Sequence, residues 1–460
     1  MKNTEFLEGR FWLESDPKDI IPGKIEVIEG NKIKLKLYGH YKSLPYDPYD
    51  KNIRNIAREK IILGVTERYG KVTLLNNRGP YPQSSGVSEI EIRNWIFYSE
   101  YLFIGEWFHS IDEICFGHFR VHFSCSEKWI TTNSIQYEFR EHKILYQPYE
   151  ENYEIDIKHP YQFRLKILST ANPCFGFDEF SLKKQIYFEI LVNEKKDLEW
   201  FDEVTRTIQR FLWFFIGTPV YADSRELLIE QKLQNAQEYK DYKLPIKVFS
   251  ELFLSRDCEF NYRTVKAPFC EIALHLGNYI KNWFMLYENM KPAINLYLAN
   301  YFIKDMYLEQ QFLSLVQAAE TIHIRKYGNQ RLSYERKGKK RSSKKTPNLW
   351  ERLEFLIHQY WDEYLCEFVE RDVFEDLLVN KVDLCRNYLT HHDLKTERKV
   401  FRMFKNQRNY AVSLIKMSLG LNLLITVIFM DFIGIPKKMI CKMKNRTEDF
   451  QDINEYLKRR

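Results

Sequence analysis

The sequence predicts an α+β protein, with a β-rich amino-terminal domain over residues 1–265 and an all-α helical bundle over residues 266–460. Three observations support this division. Short runs of alternating apolar and polar residues fill the first half, apolar residues three and four apart fill the second, and Pro and Gly are few after Ala267. With 460 residues, 45% of them hydrophobic, the chain is long enough for two or three packed domains.

The clearest strand pattern is a β-hairpin in the segment Lys24–Leu37, which alternates on both sides of Gly30-Asn31. Similar runs occur at residues 71–75, 88–92, 119–123, 136–139, 162–167 and 185–192. This pattern indicates a β-rich domain with many turns and not a parallel α/β sheet.

A helix is predicted from about Leu198 to a stop at Gly217 and Pro219. The sequence does not assign this helix to either domain. Its apolar side consists of Phe201, Val204, Ile208, Phe211, Leu212 and Phe215.

Apolar stripes predict the helices of the second half. The segment Val400–Ile435 contains fourteen uncharged residues, Met417 to Met430, which are too few to cross a bilayer and predict a buried core helix ending at Gly434 and Pro436. Two further stripes are Phe312, Leu315, Val316, Ala319 and Ile322, and Phe355, Tyr360 and Leu365.

The eight cysteines include no Cys-x-x-Cys pair and no spacing typical of a disulfide framework. They predict reduced, mostly buried thiols in a cytoplasmic protein. The amino terminus also lacks the apolar core of a signal peptide, so neither export nor a membrane is expected.

The strongest candidate for chemistry is the segment Arg386–His391. On a helix, Arg386, Asn387, Thr390 and His391 fall within an arc of about 140°. An imidazole moves protons near neutral pH, and a guanidinium stabilises charge on phosphate oxygens. These groups suit RNA cleavage by its own 2′-hydroxyl, which requires no metal and no cofactor.

The spacing by itself is weak, because a solvated helix face produces it too. Arg352 and His358 stand at a nearby spacing, but Leu353, Leu356 and Ile357 make that segment an ordinary apolar stripe.

Three stretches together resemble the ApeA-like HEPN proteins of bacterial anti-phage defence. The first is the Arg386-Asn387…His391 motif, which resembles the family signature, including its polar residue after the Arg. The second, Ala318–His323, is similar to the opening helix of the ApeA-type bundle. The third, Glu8–Leu13 followed by Ile21–Ile25, resembles the start of the ApeA amino-terminal domain.

The resemblance implies a four-helix core that forms a homodimer, with two motif helices building one composite site. It implies that His391 acts as general base and acid, that Arg386 stabilises the transition state and that Asn387 orients the phosphate. Supporting roles are open for Glu320, Thr390 and His392, and His392 also satisfies a looser form of the motif.

The resemblance further implies an RNA substrate, with tRNA expected, in abortive infection. The amino-terminal domain would sense a phage-derived trigger or regulate the bundle. Two alternatives stay open: an inactive HEPN scaffold that binds RNA or a protein partner, and a housekeeping RNA-processing enzyme.

Basic charge is concentrated in the second half, above all between Arg331 and Lys345. This segment is either a solvated loop between helices or an arm that binds RNA phosphates. The basic residues of the proposed arm are Lys337, Lys339, Lys340, Arg341, Lys344 and Lys345.

Other chemistries find little support, since phosphate-binding glycine loops and the His-Glu-x-x-His pattern are absent. His118 and His122 flank Arg120 in an alternating strand, which favours a structural role. Glu194-Lys195-Lys196, with Asp178 upstream, resembles a metal-dependent nuclease core, but a charged strand-to-helix turn is the simpler interpretation.

Overall fold

The structure is a computed structural model that describes residues 5–28, 32–43, 60–85, 92–130, 135–138, 143–146, 153–175, 180–230, 243–253, 258–302, 306–333 and 346–459. The chain divides into two compact units. Unit 1 comprises residues 1–209 and 220–258, and unit 2 comprises residues 210–219 and 259–460. A β-rich part is followed by a helical part, so the predicted α+β class is confirmed.

Unit 1 is built from antiparallel strands. Across the described residues the strands are β1 (Glu5–Leu13), β2 (Asp16–Ile28), β3 (Lys32–Leu37), β4 (Ile61–Thr66), β5 (Gly70–Ser85), β6 (Ile92–Ile104), β7 (Cys115–Phe123), β8 (Ile135–Glu138), β9 (Lys143–Tyr146), β10 (Tyr153–Ile157), β11 (Phe163–Phe175), β12 (Phe180–Asp197), β13 (Ala222–Glu230) and β14 (Lys243–Ser250). Strands β6-β3-β2-β1-β4-β5 close into a ring because β5 also pairs with β6, and β14-β13-β7-β12-β11-β10 extend the sheet from β6.

The closed ring contains the predicted hairpin and the amino-terminal stretch that resembles the ApeA family. Strands β2 and β3 pair from Gly23↔Leu37 to Ile28↔Lys32, which confirms the hairpin at Lys24–Leu37. Strands β1 and β2 pair Gly9 with Gly23, so the two amino-terminal segments singled out in the sequence are partners in one ladder. Alternate residues of these strands, such as Phe11, Ile25 and Leu35, are fully buried, as the period of two requires.

The extension of the sheet has a row of alternating charges across six strands. Each member stands opposite the next in the strand register. The acidic residue on β10 therefore faces one basic residue, and the other two acidic residues face a basic residue on each neighbouring strand. From β10 to β14 the row is Glu154, Lys166, Glu189, Arg120, Glu226 and Lys247. The Arg120 Nε donates to Glu226 over 3.0 Å.

Helix α2 (Leu198–Ile216) confirms the predicted amphipathic helix, and the division between the units falls within it. In unit 1, Asp202 of α2 accepts hydrogen bonds from Arg225 (3.0 Å) and Tyr101 (2.8 Å). The helix ends at Gly217, whose φ of +73° is the left-handed conformation that a glycine adopts without strain.

The prediction that all cysteines are reduced and mostly buried is wrong. Cys125 and Cys258 form a disulfide with a Cα–Cα distance of 6.0 Å. Cys270 and Cys366 are exposed thiols, and Cys385 is buried. The pairing could not be read from the sequence, because 133 residues separate the two partners and no local spacing marks them.

The remaining secondary structure of the described residues is helical. Apart from α1 (Ser126–Trp129) and α2, the helices are α3 (Phe269–Ile272), α4 (Leu276–Phe302), α5 (Leu308–Tyr327), α6 (Leu349–Trp361), α7 (Arg371–Glu375), α8 (Val382–His391), α9 (Leu394–Phe404), α10 (Gln407–Ile433), α11 (Lys437–Arg446) and α12 (Ile453–Lys458). In unit 2, α5 packs against α4, α6, α8 and α10.

Helix α10 is the predicted core helix, though it starts later than expected. The predicted segment from Val400 is interrupted, because Lys405 adopts a φ of +67° and Asn406 caps a new helix by accepting the Asn409 N–H. The helix ends at Gly434 in the left-handed conformation, as predicted. It is long and apolar enough to cross a membrane, but most of its apolar stretch is buried in the unit, as in the core helix of a soluble protein.

Several sequence predictions fall outside the described residues. These are the turn at Gly30-Asn31, most of the run 88–92, Asp178 and the basic arm over residues 337–345. The arm's role in binding RNA therefore stays a prediction. The domain boundary near residue 265 also stays a prediction.

Candidate active site

The segment Arg386–His391 lies on α8 and directly follows an irregular helical turn. Helix α7 passes through a π-helical turn, Asp376–Lys381, into α8 without leaving the right-handed helical conformation. Single π turns inside helices are often found at functional sites, because the extra residue rotates the side chains that follow. The four residues Arg386, Asn387, Thr390 and His391 are all on the last two turns of α8.

Arg386 is held from two sides. Its Nη1 donates to the Asn387 Oδ1 over 3.2 Å, and its Nη2 lies 3.9 Å from the Glu320 Oε2. Glu320 is on α5, so the carboxylate reaches the motif from a neighbouring helix. Arg386 still keeps 35% of its side chain exposed, which leaves part of the guanidinium open to a ligand.

The other oxygen of Glu320 faces a second arginine that the sequence reading had set aside. The Arg352 Nε lies 3.7 Å from the Glu320 Oε1 and donates to the Pro347 carbonyl over 3.2 Å. Arg352 is buried in α6, whereas His358 of the same helix is exposed and 3.5 Å from Arg371. Arg352 and His358 therefore do not form a site together.

His323 completes this buried polar group. Its Nδ1 lies 3.2 Å from the Arg352 Nη1, and the ring is fully buried. Burial, and then the positive charge of Arg352, lower the pKa of His323 to about 4. The ring is neutral at pH 7 and can accept the arginine N–H. In the sequence, Arg352 was set aside with His358 and His323 was given no role, although an Arg within an apolar stripe is itself a signal of a buried partner.

The two neighbouring histidines differ in their surroundings. His391 is exposed at the end of α8, and its imidazole makes no hydrogen bond to any residue that the structure describes. His392 adopts the left-handed conformation, donates its backbone N–H to the Tyr388 carbonyl over 2.8 Å and packs its ring on Tyr388 at 5.7 Å. The Thr390 hydroxyl donates to the Arg386 carbonyl over 2.8 Å.

Other candidate groups are less suited to chemistry. Burial raises the pKa of Cys385 to about 12, so this thiol next to Arg386 stays protonated at neutral pH and is a poor nucleophile. Within the described parts of the chain, no three His, Cys, Asp or Glu side chains are grouped as metal ligands.

The two histidines of β7 each have a carboxylate partner. The His118 Nε2 lies 3.2 Å from Glu189, and His122 contacts Glu127. Glu194 lies in a bulge of β12 and is strongly exposed, so the segment 194–196 is the end of a strand and not the predicted turn.

Comparison with known proteins identifies the family. The family model described as ApeA N-terminal domain 1 matches residues 7–283. No curated protein and no solved structure matches the chain. The ApeA domain indicates an anti-phage defence protein, of a family associated with nuclease effectors. Since the match covers more than half of the sequence, this chain belongs to the ApeA family.

Proposed function

We propose that this protein is a metal-independent endoribonuclease of the HEPN type that cleaves RNA, with tRNA as the expected target, in abortive infection. The observation that carries the proposal is the geometry of α8. One helix end presents a partly exposed Arg386, its partner Asn387 and an exposed His391. These are the groups that 2′-hydroxyl attack on a phosphodiester needs.

In the proposed reaction, the imidazole of His391 removes the proton of the ribose 2′-hydroxyl. The 2′-oxygen forms a bond to phosphorus while the bond from phosphorus to the 5′-oxygen breaks, and the leaving oxygen takes up a proton. The products are a 2′,3′-cyclic phosphate and a 5′-hydroxyl. Arg386 stabilises the charge on the nonbridging oxygens, and Asn387 orients the phosphate or the guanidinium.

The leaving oxygen needs a protonated group on the side opposite the base. A second copy of α8 would supply it from its own His391, so we propose a homodimer formed through the helical unit. Light scattering on the purified protein tests this stoichiometry, and a monomer at all accessible concentrations that still cleaves RNA would contradict it.

The test is cleavage of total tRNA in EDTA, after addition of lysate from phage-infected cells, by the wild type and three variants. We expect His391→Ala and Arg386→Ala to lose at least 10²-fold in rate, whereas His392→Ala keeps wild-type cleavage. His392 is the matched control, because it is the same residue type one position away. Equal loss in both histidine variants would contradict the assignment of His391.

The amino-terminal domain is proposed to hold the nuclease inactive until a phage-derived trigger binds. Wild-type protein that is silent alone and cleaves tRNA after addition of lysate from phage-infected cells supports this regulation. Protein that stays silent in EDTA under both conditions is the inactive scaffold, and cleavage that requires magnesium moves attention to the segment around Glu194.

A further inference from the structure

Helix α9 presents four basic side chains on one side. Lys395, Arg398, Lys399 and Arg402 are spaced three and four apart, so they fall within an arc of about 100° on the helix. All four are exposed. We refer to these four residues as the α9 stripe.

The stripe is held outward by the packing of the opposite side. Val400 and Phe404 are buried, and the ring of Phe401 packs on Tyr388 of α8 at 6.3 Å. Asp393 caps the helix by accepting the Thr396 N–H over 2.8 Å. Helix α9 is thus fixed beside α8, and its charged side is not needed for this packing.

The stripe lacks the neutralising partners that other basic side chains in unit 2 have. Among the residues that the structure describes, no carboxylate lies within ion-pair distance of any of its four cations. Glu397, the acidic residue of α9, is about 160° around the helix axis from both Lys395 and Lys399. In α11, by contrast, Lys442 and Arg446 both pair with Glu271.

Such an arrangement has a cost. Four like charges at spacings of three and four repel one another and destabilise the helix that carries them. A polyanion that lies along the stripe would remove this repulsion and release its own counterions.

The position of the stripe relates it to the proposed site. Lys395 follows His391 by four residues, across the turn capped by Asp393. From Lys395 to Arg402 the stripe rises about 10 Å along the helix, enough to contact more than one phosphate of a nucleic-acid strand. We infer that the α9 stripe binds the RNA phosphate backbone next to the scissile bond. This inference rests on the proposed function and adds the surface that holds its substrate.

Helix α11 offers a matched control. Its Lys437, Lys438 and Lys444 are also exposed and have no ion-pair partner in the described chain. Helices α9 and α11 flank opposite ends of α10, whose 27 residues span about 40 Å. Reversing three charges in either helix changes the net charge equally, but only α9 adjoins His391.

The experiment measures binding of a fluorescein-labelled tRNA transcript by anisotropy across a salt series, in the His391→Ala background so that the probe stays intact. The stripe variant is K395E/R398E/R402E, and the control variant is K437E/K438E/K444E. A neutral version, K395Q/R398Q/R402Q, accompanies them in case charge reversal perturbs folding, which circular dichroism monitors.

We expect the stripe variant to lose at least tenfold in affinity, and the slope of log affinity against log salt to fall by about 2, since each lost phosphate contact contributes about 0.7. The neutral version should show a smaller loss in the same direction, and the control variant should lose less than twofold. Equal losses of affinity in the stripe and control variants would overturn the inference. Wild-type affinity in the stripe variants would also overturn it, and would assign the stripe to an acidic protein partner.

Failure of the proposed function gives a different result. If the wild type never cleaves RNA but the stripe variants lose binding, the nuclease proposal fails and the stripe stands. If the wild type cleaves and the stripe variants bind like the control, the stripe inference fails alone.

Discussion

Glu320 and Arg386, which are 66 positions apart in the sequence, face each other with 3.9 Å between the carboxylate Oε2 and the guanidinium Nη2. The second carboxylate oxygen lies 3.7 Å from the buried Arg352. Because Arg352 is fixed by packing and by the Pro347 carbonyl, it restricts Glu320, and Glu320 in turn restricts Arg386. We regard Glu320 as a positioning residue, since it acts on the phosphate only through Arg386.

Glu320→Gln should therefore impair catalysis more than binding. Loss of the carboxylate lets the Arg386 guanidinium move, and a displacement of about 1 Å at a catalytic group lowers the rate by about 10²-fold. We expect kcat for tRNA cleavage to fall to that extent while KM changes by less than threefold. Glu309→Gln, an exposed change on the same helix, is the control. If E320Q and E309Q cleave tRNA at the same rate, or if E320Q and R386K have fully additive effects on the rate, Glu320 does not act through Arg386.

Local periodicity explains which parts of the fold were predictable. The hairpin around Gly30-Asn31 and the helix α2 depend on periods of two and 3.6 within one segment. The order of strands in the sheet and the closure of β5 onto β6 depend on contacts between distant segments, and no pattern within a single strand encodes them. The helix predicted from Val400 is interrupted at Lys405, which adopts a positive φ. Lysine has no preference for turns, so the sequence did not mark this break.

The buried His323 predicts a pH-dependent stability. Its pKa is about 4 in the folded protein and 6.5 in the unfolded chain. Between these values the unfolded chain binds a proton that the folded protein does not, so the free energy of unfolding falls as the pH falls from 6.5 to 4. The full effect is at most about 3 kcal/mol.

Chemical denaturation at a series of pH values checks how the free energy of unfolding depends on pH. His323→Gln, which keeps an acceptor for Arg352 but does not titrate, should remove this part of the slope. The exposed His358→Gln should retain it. An unchanged slope in the His323 variant would show that another group controls acid stability.

The Cys125–Cys258 disulfide predicts a redox-dependent stability of the purified protein. A cross-link between residues 133 positions apart restricts the unfolded chain and contributes up to about 5 kcal/mol in the chain-entropy model. We expect the wild type to melt lower in reducing agent, and C125S/C258S to melt at that lower temperature with or without it. Cys115→Ser should behave as the wild type. Peptide mapping that recovers both cysteines alkylated without prior reduction would contradict the pairing.

Gly9 should be intolerant of a side chain. A Cβ atom there would lie 2.3 Å from the Val65 carbonyl oxygen, which cannot move without breaking the ladder between β1 and β4. We expect Gly9→Ala to lower the free energy of unfolding by about 3 kcal/mol. Gly117→Ala, whose Cβ would meet its nearest atom at 3.8 Å, should change it by less than about 0.5 kcal/mol. Equal stability of the two variants in urea titrations would refute this explanation.

The candidate site was partly predictable for the same physical reason as the fold. Arg386, Asn387 and His391 belong to one helix, so their spacing alone places them near one another. Glu320, Arg352 and His323 come from α5 and α6, and their contacts with one another and with α8 required the structure. The α9 stripe had a visible signal in its spacing of three and four, but the run of charges at residues 337–345 was the more conspicuous one.

The most direct test of the account is the chemistry of the cleaved ends. Wild-type protein activated with lysate from phage-infected cells and incubated with tRNA in EDTA, followed by mass spectrometry of the fragments, should give a 2′,3′-cyclic phosphate on one fragment and a 5′-hydroxyl on the other. Neither should be present for His391→Ala treated in the same way. A 3′-hydroxyl paired with a 5′-phosphate would mean that water, and not the ribose 2′-hydroxyl, attacks the phosphate, and would contradict the assignment of Arg386 and His391 as the catalytic pair.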